Sequence, residues 1–179
     1  FHVDFLEQLD GVTVTEGNFL ARFHRLDGSE IEFSPPTMGV DGPIRHARPI
    51  QGPDFDYLAS QVTKTPKVSI PAPSMLHFRG GRAGISKECY PDLEPFYQDV
   101  ADAYGDELRS LAAAGCTYVQ MDDTNLAYLC DPKMQEAARQ RGDDPQELPH
   151  RYASFINRVV AQKPAGMTLC THLCRGNFR

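Results

Sequence analysis

The sequence predicts an α/β protein in which short parallel strands alternate with helices. Three observations carry this. After residue 53, helical periodicity gives way to a short apolar run three times over. Each of those runs is apolar enough to be buried on both faces, as strands in a parallel sheet are. The runs end near Pro71, Asp122 and His172, about 50 residues apart, a spacing that suits successive strand–helix units with sizeable loops.

The chain opens on "FHVDFLEQLDG", an amphipathic start without a Met or a polar lead, and is expected to be an internal piece of a longer protein. Residues 10–34 alternate apolar positions (Val12, Val14; Phe19, Ala21, Phe23; Ile31, Phe33) around an Asp27-Gly28 pair, which predicts a β-hairpin or small meander. Residues 35–53 hold five of the 14 prolines. A residue before proline is pushed out of the helical region, so an extended excursion is expected there.

Residues 54–179 are expected to be the helix–strand units of one partial domain. A helix over 54–64 leads to "KVSIPAP". A long helix over 91–114 puts Leu93, Phe96, Tyr97, Val100, Tyr104, Leu108 and Leu111 on one stripe, stops at Gly115 and leads to "CTYVQMDD". A third helix, over about 147–163, leads to "GMTLCTHLC".

Composition excludes several classes of function. With 41% hydrophobic and 23% charged residues, 179 residues can bury a core without staples. A net charge of −6 gives no attraction to phosphate backbones or anionic lipid, so neither nucleic acid nor a membrane is an expected partner. No apolar run approaches the roughly 20 residues of a membrane helix. Five scattered cysteines, an odd count, fit a reducing cytoplasmic setting.

In parallel sheets the functional side chains gather at the carboxyl ends of the strands, where loops are free to vary. Here the second run delivers Asp122 and Asp123, and the third delivers Cys170, His172 and Cys174, which share one face if the strand is unbroken. Imidazole and thiolate two residues apart suit a soft divalent metal, and a catalytic zinc site needs at least three protein ligands. Cys170 is a strained third candidate, because its Cα lies about 7 Å from the next alternate position. Asp123 is expected to cap a helix over 124–130, a reading that accounts less readily for Asp122. Cys89, Cys116 and Cys130 read as small core residues. The stretch "HFRGGRAG" reads as a solvated turn before it reads as an anion cradle with Arg79 and Arg82. His2, His24, His46 and His150 carry no functional assignment.

The segments "HVDFLEQLDG", "SIPAPSM", "AGCTYVQMDD" and "THLCRGN", in this order, resemble the catalytic barrel of cobalamin-independent methionine synthase, and more closely its short bacterial relatives that lack the duplicated N-terminal barrel. The resemblance covers essentially the whole chain, and its most specific parts are Gln120–Asp122 and Thr171–Cys174. It implies an incomplete (β/α)8 TIM barrel and a zinc-dependent methyltransferase acting on a thiol such as homocysteine. His172 and Cys174 then match two zinc ligands, the other two lying further along the chain, and Asp122 matches the residue that holds the substrate's amino group. Methyltetrahydrofolate is the donor by family default. The chain departs from the family's Gln-Ile-Asp-Glu-Pro by reading Gln120-Met121-Asp122-Asp123-Thr124, has Arg175-Gly176-Asn177 after the metal pair, and lacks the tryptophan that stacks on the pterin. A corrinoid-linked or other-donor thiol methyltransferase, and a barrel without turnover, are the alternatives. The segment by itself is expected to be inactive.

Overall fold

The computed structural model describes residues 1–15, 17, 21–24, 27–34 and 36–174. Three strands form a parallel sheet in the order β5-β6-β7: β5 (Val68–Pro71), β6 (Tyr118–Asp123) and β7 (Thr168–Leu173). Their register is continuous, with Ile70 opposite Met121 and Pro71 opposite Asp122 on one side of β6, and Asp122 opposite His172 on the other. These are the three apolar runs of the sequence, paired as successive strand–helix units require.

The crossover from β5 to β6 runs through α3 (Met75–Phe78), a 3₁₀ turn (Gly81–Gly84) and the long helix α4 (Leu93–Ala113). The stripe read from the sequence is the buried face of α4, which includes Phe96, Tyr97, Val100, Tyr104, Leu108 and Leu111. Gly115 ends it at φ 96°, a left-handed value that glycine takes without strain, and Cys116 N–H returns to the Leu111 carbonyl at 2.9 Å. The crossover from β6 to β7 runs through α5 (Asn125–Tyr128), α6 (Pro132–Gln140) and α7 (Leu148–Ala161). Phe155 of α7 meets Tyr97 at 4.9 Å between ring centroids, so α7 lies on α4.

Alternation decides which face of the sheet does what. Val68, Ile70, Val119 and Met121 are buried in the main core, each contributing about 1.5–3 kcal/mol of transfer free energy. Ser69, Gln120, Asp122 and Cys170 fall on the other face, half-buried. Tyr104 fixes α4 against a strand end, its buried hydroxyl donating to the Pro71 carbonyl at 2.9 Å.

In the N-terminal part, where a β-hairpin or small meander and then an extended excursion are expected, the structure pairs strands from both stretches. After α1 (His2–Leu6), β1 (Asp10–Thr15) pairs antiparallel with β4 (Thr37–Arg45), so the proline-rich stretch holds a nine-residue strand. Between β1 and β4, β2 (Ala21–His24) and β3 (Glu30–Phe33) make a hairpin of their own. Its turn includes Asp27, whose Oδ1 accepts from Ser29 N–H at 2.9 Å, and Gly28 at φ 82°. The prolines do not prevent β4, because Pro43 lies where the register slips between Asp10 and Val12. Gly11 makes that slip possible: at φ 82°, an added Cβ would fall 2.5 Å from the Gly42 carbonyl oxygen.

The remaining helix, α2 (Gly52–Gln61), is anchored by Glu107 of α4. That carboxylate is fully buried and accepts from Ile50 N–H at 2.9 Å, Gln51 N–H at 2.8 Å and the His46 imidazole at 2.6 Å. A buried carboxylate tolerates its desolvation because every donor points at it.

Candidate functional site

The carboxyl ends of β5, β6 and β7 bring Asp122 and His172 together. They stand directly opposite each other in the parallel ladder and on the same face, which is also the face of Gln120 and Cys170. Asp122 is half-buried and His172 exposed. Cys174 continues the alternation one step past β7, and its N–H donates to the Asp123 carbonyl at 2.9 Å, which extends the ladder to the strand's exit.

The Asp122 carboxylate is oriented by a short relay along the sheet. Gln120 Nε2 donates to Asp122 Oδ1 at 2.6 Å, and Lys67 Nζ donates to Gln120 Oε1 at 2.9 Å, which sets which end of the amide faces the acid. Oδ2 has no hydrogen-bond partner among the described residues. The arrangement leaves one carboxylate oxygen to accept from a cationic or hydroxylic ligand.

Asp123 points the other way and is fully buried. Its Oδ1 accepts from Leu126 N–H at 2.8 Å, the helix cap expected over 124–130. Its Oδ2 accepts from Ser74 Oγ at 3.0 Å, and Ser74 Oγ in turn accepts from Asn125 Nδ2 at 2.8 Å. Sequence reading missed Ser74 and Asn125; the one available signal was a small hydroxyl residue just past a strand end.

In the glycine-rich stretch Arg82 is not free for an anion. Arg82 directs its guanidinium to the carbonyls of Ile85 at 2.7 Å, Tyr90 at 2.5 Å and Pro91 at 3.2 Å, so its donors are engaged in holding the loop. The stretch is solvated only in part: His77, Phe78 and Gly81 are buried, whereas Arg79 and Ala83 are exposed. His77 Nδ1 lies 2.9 Å from the Tyr152 hydroxyl and its Nε2 lies 4.0 Å from Asp143 Oδ1. Burial lowers its pKa to about 4, against the opposing charge of Asp143.

His2 also has a place here. Burial holds its pKa down, while the charges of Asp122 and Asp123 push it back up, so the first helix lies near the strand ends. Cys170 Sγ lies 3.9 Å from the Tyr118 hydroxyl. Cys116 is buried, as a core cysteine should be, whereas Cys89 is half-buried and Cys130 exposed.

As a test of zinc, the donor types fit and the number does not. His172 and Cys174 offer a nitrogen and a sulfur, and no group of three His, Cys, Asp or Glu side chains is placed to hold a metal among the described residues. Residues 175–179, including Arg175-Gly176-Asn177, lie outside the described residues. No described helix is long and apolar enough to cross a membrane.

No family model matches the chain. Two uncharacterised proteins of Bacillus subtilis strain 168, YxjH and YxjG, are 36% and 34% identical to it over 181 aligned positions, covering all of this chain and 46% of their own lengths. A solved structure from Listeria monocytogenes, provisionally assigned as a vitamin-B12-independent methionine synthase, superposes with a TM-score of 0.72 at 33% identity, covering 99% of this chain and 47% of that one. The chain is a relative of the cobalamin-independent methionine synthases. The resemblance read from its strand ends therefore holds over nearly every residue. A B12-independent methionine synthase from Shewanella sp. W3-18-1, solved with selenomethionine, shares the fold at a TM-score of 0.64 and 18% identity, with 98% of this chain and 43% of that chain covered. The chain thus spans about half the length of the relatives it matches, and it shares its mixed α/β fold with the two solved structures.

Proposed function

We propose that this chain is one arc of a (β/α)8 barrel that transfers a methyl group to the thiol of an amino acid such as homocysteine. The observation that carries the reading is the pairing of Asp122 with His172 at adjacent strand ends, with one oxygen of Asp122 already held by Gln120.

An amino-acid substrate brings an ammonium group and a sulfur a few bonds apart. Asp122 Oδ2 takes the ammonium, and the Gln120–Lys67 relay keeps the carboxylate turned towards it. The substrate's sulfur is thereby directed along the same face towards β7, where His172 and Cys174 lie. Holding both ends of the substrate supplies the entropic part of a direct displacement. His172 and Cys174 would be two of the protein ligands to zinc, which when bound lowers the pKa of a coordinated thiol from its ordinary value near 8.5 and so generates the nucleophile. The donor is methyltetrahydrofolate by analogy with the family, and the setting is the reducing cytoplasm.

The test is methyl transfer by the full-length protein, with homocysteine as acceptor and either methyltetrahydrofolate or methylcobalamin as donor. Methionine formed from the folate supports the reading in full, and methionine formed from the cobalamin alone reassigns the donor. With neither donor active at stoichiometric zinc, the barrel is one without turnover and the proposal fails.

A further inference from the structure

The fully buried Asp123 is bound more extensively than a helix cap requires. A cap needs only the bond from Leu126 N–H to Oδ1, and α5 is four residues long, so little of its stability rests on that bond. The second oxygen reaches across to the loop that leaves β5, through Ser74 Oγ at 3.0 Å, and Asn125 closes the triangle from α5 at 2.8 Å. Ser74, Asp123 and Asn125 are each 0% exposed. The main chain of the same two residues ties the strand exits together. The Asp122 carbonyl accepts from Ala72 N–H at 2.9 Å and the Asp123 carbonyl from Cys174 N–H at 2.9 Å. One buried side chain thus holds the exits of β5 and β6, and its backbone holds that of β7.

We propose that Ser74, Asp123 and Asn125 form a positioning clamp that sets where Asp122 and Cys174 stand; the proposal rests on the methyl-transfer reading of this site. The clamp touches no ligand. It acts because Asp122 and Asp123 are consecutive on a strand: fixing Asp123 on the buried face fixes the direction of Asp122 on the open one. A buried hydroxyl–carboxylate bond cannot slide, since neither group has solvent to turn to.

Ser74→Ala tests this in the full-length protein, because it leaves the cap intact and cuts both bonds at the exit of β5, the one to Asp123 and the one from Asn125. Amide hydrogen exchange at Ala72 and Cys174 should quicken in the ligand-free protein. The KM for homocysteine should rise about tenfold with a smaller change in kcat, as expected when a binding group is displaced by a fraction of an ångström. Ser74→Thr, which keeps the hydroxyl, should restore both. Asp123→Asn, which keeps the shape and the cap acceptor, should behave as Ser74→Ala does. Unchanged exchange at both amides in Ser74→Ala overturns the clamp, and quickened exchange with an unchanged KM overturns its positioning role. If the parent forms no methionine, the methyl-transfer reading fails on its own while the exchange at Ala72 and Cys174 still decides whether the clamp exists.

Discussion

Asp122 and His172 occupy opposite positions on adjacent parallel strands, with their Cβ atoms on one face of the sheet. Parallel neighbours in register share a face throughout, so Gln120 and Cys170 lie beside them as a matter of pleat geometry. Under the proposed reading the substrate-holding and metal-holding groups sit on two different strands, so mutation should separate them.

Asp122→Ala in the full-length protein should raise the KM for the amino-acid substrate about tenfold to a hundredfold, the worth of a charge-assisted hydrogen bond, while zinc content stays at the parent level. Gln120→Ala should act in the same direction and less strongly, because it frees the carboxylate to turn without removing it. Steady-state kinetics beside metal analysis reads both. An Asp122→Ala protein with parental KM would remove this residue from the substrate site.

The helix–strand units were legible because a 3.6-residue stripe over 91–114 and three short apolar runs have few other folded interpretations. Asp122 and His172 were legible because they interrupt those runs at their ends. The partner of β1 was not, since Val12 and Val14 fit a hairpin with β2 as well as the ladder with β4, and nothing local distinguishes the two. Ser74 and Asn125 were not, because their roles depend on which loops the tertiary fold places side by side. The loop at 77–84 was legible only in part for a related reason: its glycines suggested a solvated turn, and Arg79 and Ala83 are exposed, but Gly81 also permits close approach by Arg141 and Asp143, whose Nε and Oδ2 would lie 3.2 and 3.1 Å from an added Cβ.

His77 makes stability depend on pH. Its folded pKa, about 4, lies below its ordinary 6.5 because burial disfavours the imidazolium; Asp143 opposes this, and Arg151, Arg141 and Arg82 add to it. The unfolded chain therefore takes up the proton first, so the contribution is present above about pH 6.5 and is lost as the pH falls towards 4. Urea unfolding should show the protein about 2 kcal/mol less stable at pH 5 than at pH 7 from this group alone. His77→Gln should flatten that part of the profile. An unchanged pH slope in the variant would show that other groups set it.

Glu107 should be among the most sensitive positions away from the site. Glu107→Ala strips the partner from the Ile50 and Gln51 amides and from His46 in one step, and should cost about 3 kcal/mol or more in unfolding free energy. Glu107→Gln keeps the shape and one acceptor and should cost less. The ordering, measured by denaturant titration, distinguishes a buried acceptor from a volume effect, under which the two variants would separate only by size.

The metal prediction turns on the same ladder. In the full-length protein His172→Ala and Cys174→Ala should each lose stoichiometric zinc, because removing one of a small set of protein ligands leaves too few donors to hold the ion at neutral pH. Cys170→Ala should keep it: Cys170 Sγ faces the Tyr118 hydroxyl at 3.9 Å and is paired along the ladder with Gln120, a full alternation short of the strand's exit. The segment of residues 1–179 alone should bind zinc weakly, since no group of three His, Cys, Asp or Glu side chains is placed to hold a metal among the described residues. Metal analysis after dialysis against a chelator reads all four samples, and activity is not required. Full zinc in both His172→Ala and Cys174→Ala would take these residues out of the metal site and leave Asp122 facing a partner other than an activated thiol.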